Sequence, residues 1–298
     1  YLPYFNHPDP SVDRKSGFLT PSYTASDSLG TSVILPYFKI LDLDKDITFS
    51  PRIYSEKNFL LQNEYRQALE NSKILTDFSF LIGNEGTKGH FFYNQIGKVN
   101  NKINYELNIN DVKGDNYLKK HKLIETSSLI KNDSLLLSNF DIDWDFNNSN
   151  LSTSFKMYQD LTRVYSDRYQ YIYPDYKFIK RIDIPENYNG KFDFSSYGFN
   201  KNYNTNINET VLTNDFLFSS NEYIASNGFA TNYNLLLKNS NSYSNNSKAF
   251  DENTNYNLYG TFKIDTSLPL QKNLDEYINY LKPIISFRYS PNGNKNIS

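Results

Sequence analysis

The acidic residues are the clearest candidates for chemistry, because two groups of three aspartates recur at alternate positions. Asp42, Asp44 and Asp46 repeat the opening spacing of an EF-hand calcium loop. The sixth loop position is Ile47 where glycine is needed, and the twelfth is Ile53 where glutamate is needed. This group therefore predicts a polar hairpin turn rather than a calcium site.

Asp141, Asp143 and Asp145 form the second group, within a strand-like run. Alternate residues of a strand point to the same face, so the three carboxylates lie side by side. Two interpretations remain open, a divalent-cation site and the polar wall of a β-barrel lumen. We favour the lumen wall, because large barrels have polar interiors.

Composition and missing motifs exclude most other chemistry. The 298 residues include no Cys, which removes disulfides, thiolate zinc sites and Cys nucleophiles. The net charge is -2 with no basic tract, which argues against a nucleic-acid partner. No nucleophile elbow, P-loop or dinucleotide fingerprint occurs, and three histidines show no metal-ligand spacing: His7, His90 and His121. The sequence therefore predicts a protein that is not an enzyme and uses no cofactor or metal.

Most of the chain alternates apolar and polar residues with period two, as in residues 103–110, 140–146 and 151–157. This pattern predicts strands with one apolar and one polar face. Turn formers separate about 14 candidate strands of about 9–13 residues, near the length that crosses a bilayer at a tilt. The segment from Asp115 to about Lys131 breaks the rhythm. Its apolar residues fit either a short helix or a loop: Leu118, Leu123 and Ile124.

The predicted fold class is all-β, and a transmembrane antiparallel β-barrel is favoured over a soluble sandwich. Sandwich strands are usually shorter, at about 5–6 residues. The 26 Tyr and 22 Phe suit the aromatic girdles of a membrane barrel. A generic outer-membrane porin or receptor barrel remains an alternative, as does a secreted β-rich adhesin or carbohydrate-binding protein.

A set of motifs in the first 66 residues carries a more specific signal. They are PYF (Pro3–Phe5), DPSVDRKSGFL (Asp9–Leu19), LPYF (Leu35–Phe38), DITFSPR (Asp46–Arg52) and LQNEYR (Leu61–Arg66). In order and spacing these segments resemble the LptD family of lipopolysaccharide-assembly proteins, also called OstA or Imp. Later segments resemble the family mainly in their strand pattern.

The resemblance implies a domain organisation for the chain. Residues 1–6 are expected to be the last strand of a periplasmic β-jelly roll, and residues 7–30 a linker near the lumen entrance. Residues 31–298 are expected to form the N-terminal part of an outer-membrane barrel. The chain begins with Tyr1 inside a strand-like run, so it is interpreted as an internal fragment covering about half of a barrel.

The resemblance also implies a function, the transport and assembly of lipopolysaccharide at the outer membrane of a Gram-negative envelope. Lipopolysaccharide would pass through the barrel lumen and leave through a lateral gate, with no bond made or broken. The implied partners are lipopolysaccharide, outer-membrane lipid, a lumen-plug lipoprotein (LptE) and a periplasmic bridge protein (LptA). Pro36 and Pro51 match the family's gate prolines, and a proline cannot donate a ladder hydrogen bond. The alternative is that each proline lies at a strand end or bulge, and we favour the gate because the two fall in adjacent strands.

The remaining predicted site residues fall into a linker motif and a lumen face. In the linker, Arg14 and Lys15 either attract lipid A phosphates or solvate a loop, Gly17 permits a tight turn, and Phe18 and Leu19 pack against a plug or the jelly roll. The whole motif is Asp9, Pro10, Arg14, Lys15, Ser16, Gly17, Phe18 and Leu19. The alternation predicts these lumen-facing residues: Thr48, Ser50, Arg52, Gln62, Glu64, Arg66, Asp77, Asn104, Glu106, Asp141, Asp143 and Asp145.

Overall fold

A computed structural model describes residues 14–26, 29–83, 86–204, 206–250, 252, 254–273 and 277–291. Within them nearly all of the regular secondary structure is β-strand, so the predicted all-β class is confirmed. Eighteen strands belong to one large antiparallel sheet, and two more form a separate hairpin. No helix in the described residues is long and apolar enough to span a membrane.

The strands and helices, in chain order, have the following bounds. The strands are β1 (Gly17–Phe18), β2 (Ser22–Ser26), β3 (Gly30–Ile34), β4 (Tyr37–Asp42), β5 (Lys45–Tyr54), β6 (Phe59–Ala68), β7 (Ser72–Ile82), β8 (Lys88–Asn100), β9 (Ile103–Lys113), β10 (Leu135–Phe146), β11 (Ser149–Asp160), β12 (Tyr169–Ile182), β13 (Gly190–Tyr203), β14 (Ile207–Ser220), β15 (Tyr223–Ile224), β16 (Ala230–Asn245), β17 (Asn255–Ser267), β18 (Leu270–Asn273), β19 (Ile278–Leu281) and β20 (Ile284–Tyr289). The helices are α1 (Tyr117–Lys120) and the 3-10 turns Leu123–Glu125, Tyr165–Asp167 and Glu186–Tyr188.

The long strands begin and end at residues suited to turns. They range from the 10 residues of β5 to the 16 residues of β16. Several connections use asparagine in the left-handed region, which asparagine enters more readily than most residues. These residues are Asn147, Asn148, Asn189, Asn204 and Asn246. Asparagine therefore supplies several of the tight turns between the strands.

The chain divides into two units, and β10 and β11 contribute residues to both. The first unit comprises residues up to Val99, Asn104–Phe140 and Tyr158–Arg168. In it, β5 to β8 pair antiparallel in sequence order. Residues 114–134, which connect β9 to β10 and are called the insert below, contain α1 and the first 3-10 turn.

The core of the first unit lies between the insert and one face of β5 to β8. The sheet contributes Leu60, Leu81 and Phe92, each at most 1% exposed. The insert contributes Leu118 and Leu123, both 0% exposed. Ile124 is 41% exposed, so only two of the three predicted apolar residues of this segment are buried. Both interpretations of the segment were partly correct, because a single helical turn is flanked by loop.

The second unit comprises Asn100–Ile103, Asp141–Met157 and Tyr169–Ser298. Its strands β12, β13, β14, β16, β17 and β20 pair antiparallel in that order. The register aligns one apolar residue from each of five strands: Phe192, Phe218, Leu235, Phe262 and Tyr289. Cross-strand apolar neighbours of this kind stabilise a sheet face. Several members of this apolar face are exposed, among them Leu235 at 47% and Tyr289 at 58%.

The core beneath the insert predicts a sharp contrast between two of its residues. Leu118→Ala removes a fully buried side chain and is expected to lower the free energy of unfolding by about 2–5 kcal/mol. Ile124→Ala is the matched control, because that side chain is 41% exposed and its change is expected to stay near 0.5 kcal/mol. Denaturant unfolding of the chain in detergent measures both. Equal effects would contradict the placement of the insert.

Candidate functional site

The first long strand of the chain is interrupted at Leu35 and Pro36, which separate β3 from β4. Both parts pair with β5 in one continuous register, Ile34 opposite Arg52 and Tyr37 opposite Phe49. The strands β3 and β4, with the two residues between them, are called the first strand below.

The two predicted gate prolines lie at this interruption. The register places Leu35 and Pro36 across from Pro51 and Ser50. A single backbone bond, from Leu35 N to Pro51 O at 3.2 Å, is recorded there. Pro51 has no N–H group to return a bond to Leu35. The backbone of Pro36 faces the opposite neighbour, Leu19, to which it likewise has no N–H to donate. The sheet is therefore locally weak where the sequence predicted a gate.

The described part of the linker motif forms strands rather than a loop. Gly17 pairs with Phe38 and Phe18 with Tyr37, and the Phe18 ring lies edge-on to Tyr37 at 5.0 Å. Gly17 is extended, so the tight turn expected there is absent. Gly30 has the left-handed φ of +67° instead, and a Cβ there would lie 2.2 Å from Ser55 Oγ.

The other linker residues lie along the same pair of strands. The Ser16 hydroxyl accepts a hydrogen bond from Ile40 N at 2.9 Å, and Leu19 N donates to Pro36 O at 2.8 Å. Lys15 is exposed. Asp9 and Pro10 lie outside the described residues, as do residues 1–6.

Asp46 joins the linker to the sheet. Its carboxylate is almost fully buried and forms ion pairs with Arg14 and with Arg66, whose Nε lies 2.8 Å from Oδ1. Both guanidinium groups lie over the Phe38 ring, at 5.6 Å for Arg14 and 5.8 Å for Arg66. Arg14 thus has a structural partner, which neither proposed role for it had included. The sequence placed Asp46 in a turn and at the start of the DITFSPR motif, and predicted neither ion pair.

A cavity of about 420 Å³ lies beside Pro36 in the first unit. Leu19, Ile34, Pro36 and Phe38 give it an apolar side. Six of the predicted lumen residues give it a polar side: Thr48, Ser50, Arg52, Gln62, Glu64 and Arg66. Thr126 of the insert also lines it. The structure therefore brings half of the predicted lumen residues together around one amphipathic space.

The insert covers part of the polar face that the sequence predicted. Asp77 is 0% exposed, and its carboxylate accepts hydrogen bonds from Gln62 Nε2 at 3.0 and 3.2 Å. His90 Nε2 lies 3.1 Å from the same carboxylate. Thr126 of the insert donates to Gln62 Oε1 at 2.8 Å. Asp77 and Gln62 thus hold the insert in place as members of a buried network.

A second group of contacts fixes the helical turn of the insert. Arg52 donates to the carbonyl of His121 at 2.6 Å, and the Tyr54 hydroxyl lies 2.7 Å from His121 Nδ1. The Tyr117 hydroxyl lies 2.6 Å from Ser79 Oγ. Burial raises the pKa of the Tyr117 phenol, so this side chain stays neutral and able to donate at every physiological pH.

Two of the three histidines that looked scattered in sequence meet at this position. The rings of His90 and His121 lie 6.2 and 5.1 Å from the Tyr117 ring. His7 lies outside the described residues. No group of three or more potential metal ligands occurs among the residues that the structure describes.

The remaining predicted lumen residues lie away from the cavity. Asn104 is exposed, and Glu106 accepts hydrogen bonds from Asn94 and Asn108 at 3.0 and 2.9 Å. In the second unit, each aspartate of the 141–145 group is matched to a polar residue of β11. Asp143 accepts from Ser152 at 2.5 Å and Asp145 from Asn150 at 2.7 Å, and Asp141 accepts from Ser154. Each of these carboxylates therefore has a hydroxyl or amide donor on the neighbouring strand.

Comparisons with known proteins bear on the sequence motifs. The chain is 34% identical to the LPS-assembly protein LptD of Pseudoalteromonas translucida over 125 residues, 40% of this chain. It is 44% identical to that of Psychrobacter arcticus over 71 residues, 24% of the chain. It is 28% identical to that of Nitrosococcus oceani over 170 residues, 55% of the chain. The predicted resemblance to LptD is confirmed.

The similarity to LptD covers a small part of each relative. The matched stretch spans 16% of the Pseudoalteromonas protein, 8% of the Psychrobacter protein and 22% of the Nitrosococcus protein. No family model matches the chain. A bacterial polysaccharide outer membrane secretin aligns over 87% of this chain and 91% of its own at 10% identity, but the TM-score of 0.32 carries no argument.

Several residues of the site lie outside the set that sequence reasoning selected, namely Asp46, Ser79, His90, Tyr117 and His121. Ser79 and His90 share the face of Asp77 and its neighbours, since Ser79 is opposite both Gln62 and His90. Alternation along β7 and β8 could have found these two. The contacts of Tyr117 and His121 depend on how the insert folds back, which periodicity does not encode.

The buried network predicts that Asp77 controls the docking of the insert. Asp77→Ala leaves the donors of Gln62 and His90 without their acceptor, at a cost of about 1–3 kcal/mol for each unsatisfied group. We expect trypsin to cleave faster at Lys119, Lys120 and Lys122 of the insert, measured by limited proteolysis in detergent. Asp143→Ala is the control, because it removes an exposed carboxylate from another strand. Unchanged cleavage in Asp77→Ala would contradict this role.

Proposed function

We propose that the chain is part of an outer-membrane β-barrel that delivers lipopolysaccharide to the outer leaflet of a Gram-negative cell. The single observation that carries this function is the sequence similarity to LPS-assembly protein LptD. The step is a translocation in which no covalent bond changes. Because the matched stretch is a small part of each relative, the proposal assigns this chain to the start of a longer barrel.

The two faces of the strands support a membrane location. The face of β7 and β8 opposite the insert exposes Phe80 at 39%, Ile82 at 61% and Phe91 at 44%. The apolar face of the second unit likewise exposes large side chains. A soluble protein rarely leaves so much contiguous apolar surface in water, whereas hydrocarbon tolerates it. The faces opposite carry the carboxylates, amides and hydroxyls expected of a barrel interior.

The proline interruption supports a lateral gate. A lipid that leaves a barrel sideways must pass between two strands, and their hydrogen bonds must break first. Pro51 removes a donor between the first strand and β5, and Pro36 removes one at the same level on the outer edge of the first strand, where a final strand would pair. The adjoining cavity has one apolar side and one polar side, which matches the amphipathic lipid A end of lipopolysaccharide. We therefore assign the gate to this part of the chain.

The proposal also bears on partners. Lipopolysaccharide is the cargo, and outer-membrane lipid surrounds the apolar face. A lumen-plug lipoprotein such as LptE would have to bind beyond β5 to β8, because the insert already covers the polar face there. A bridge protein such as LptA would contact the periplasmic domain that the resemblance implies upstream.

The gate assignment predicts the effect of restoring two backbone donors. Pro36→Ala combined with Pro51→Ala adds two N–H groups at the weak level, and a new backbone hydrogen bond stabilises by about 0.5–1.5 kcal/mol. We expect slower delivery of lipopolysaccharide to the cell surface in cells that depend on the full-length variant. Pro185→Ala, in a loop of the second unit, is the control. Unchanged delivery in the double variant would refute the gate.

The membrane assignment predicts different outcomes for two neighbouring leucines. Leu237 lies on the exposed apolar face opposite Phe216, whereas Leu236 lies opposite Leu217 and points to the other face. Leu237→Arg is expected to cost about 2–4 kcal/mol near the bilayer midplane, and Leu236→Arg much less. Folding into lipid vesicles, followed by urea titration of the full-length chain, measures both. Equal costs would count against a lipid-facing surface.

A further inference from the structure

The outer edge of the first strand is occupied by the chain's own residues 14–26, called the edge segment below. β2 pairs with β3 from Ser22 opposite Ile34 to Ser26 opposite Gly30, and β1 pairs with β4. Thr24 Oγ1 lies 2.5 Å from Ser32 Oγ. Arg14, bound to Asp46, holds the far end. The edge segment therefore runs along nearly the whole first strand.

The pairing of the edge segment is weakest at the level of the gate prolines. β1 pairs with β4 and β2 with β3 in registers that differ by one residue, so Thr20 and Pro21 together face Leu35. Two residues of one strand opposite one residue of the next form a β-bulge, which interrupts the ladder of backbone hydrogen bonds. Pro21 adds a third proline beside Pro36 and Pro51, on a third adjacent strand. One interruption thus crosses the edge segment, the first strand and β5.

A free edge on the first strand would be costly in a membrane. If a barrel opens beside its first strand, the backbone N–H and C=O groups along that edge lose their partners. Lipid cannot replace them, and each unsatisfied group costs several kcal/mol. A strand of the same chain that occupies this edge removes most of that cost, because it supplies backbone partners over the same residues.

We propose that the edge segment is an exchangeable strand that pairs with the first strand whenever the barrel's final strand leaves it. The inference rests on the proposed function, since it gives the gate a second partner for the same edge. Because the pairing is interrupted at the level of the prolines, β1 can separate from β4 and β2 from β3 in two short steps. Arg14 and Ser16 keep the segment close to the edge while it is displaced.

A reversible cross-link tests the exchange. Thr24→Cys with Ser32→Cys places two thiols at directly opposed positions, and the chain has no other Cys in these 298 residues. Opposed residues of antiparallel strands have Cα separations of about 4.5–5.5 Å, which a disulfide spans. In the full-length protein in vesicles supplied with lipopolysaccharide, we expect oxidation to stop delivery and dithiothreitol to restore it.

The matched control locks two strands that the proposal leaves paired. Asn200→Cys with Thr210→Cys joins β13 to β14 at another directly opposed, hydrogen-bonded pair, and delivery should be the same oxidised and reduced. Equal delivery by the oxidised and reduced Thr24/Ser32 variant would overturn the proposal. If the reduced variant and the unmodified protein both fail to deliver, the proposed function fails rather than the exchange.

A second measurement needs neither cysteine nor transport. An exchangeable strand opens more often than its neighbours, so its amides should exchange hydrogen for deuterium faster. In the unmodified full-length protein we expect the amides of Ser22 and Thr24, which lie opposite Ile34 and Ser32, to exchange at least about tenfold faster than those of Gln62 and Asn63 on β6. Equal protection would show a fixed strand and would overturn the proposal.

Discussion

The pairing of backbone N–H and C=O groups between successive strands is the constraint on which the rest of this structure depends. Most side chains alternate between two faces, so few long strands have a core on both sides to hold them. Hydrogen-bonded registers as long as the fourteen pairs from Gly190–Ser220 to Tyr203–Ile207 hold them instead. Where proline removes a donor, at most one face of the strand has a core to offset the loss. Pro36 and Pro51 consequently weaken this sheet more than they would weaken a sandwich.

The insert gives the first unit a buried core on a sheet face that the alternation describes as polar. Its Leu118 and Leu123 turn a face that alternation describes as polar into a small core with Leu60 and Leu81. Asp77 is buried there because His90, Gln62 and the insert's Thr126 connect it to a closed set of hydrogen bonds. This buried network fixes the insert in one position, since each of its members would lose a partner if the insert moved away.

The sequence was most informative where one local rule determines the structure. Alternation predicted β9, β10 and β11, because side-chain period follows directly from strand geometry. It could not predict that residues 17–26 pair with the first strand, because alternation describes the faces of a strand and not which strand lies beside it. It also missed Asp46 as the shared partner of Arg14 and Arg66, which come from three different segments. The proposed gate role of Pro36 and Pro51 came from family resemblance alone, and the structure adds that the two residues lie at the same level of neighbouring strands.

The proposed gate is confined to one level by what surrounds it. Toward β5 and β6, the register continues without a break past Pro51, which pairs with Leu61. At the turn end of the first strand, Asp46 joins Arg66 of β6 to Arg14 of the edge segment, so this corner resists separation. The remaining weak path runs through Leu35 and Pro36 to the outer edge. A barrel that opens sideways must keep its other strand pairs intact. Confining the missing backbone hydrogen bonds to this one path meets that requirement.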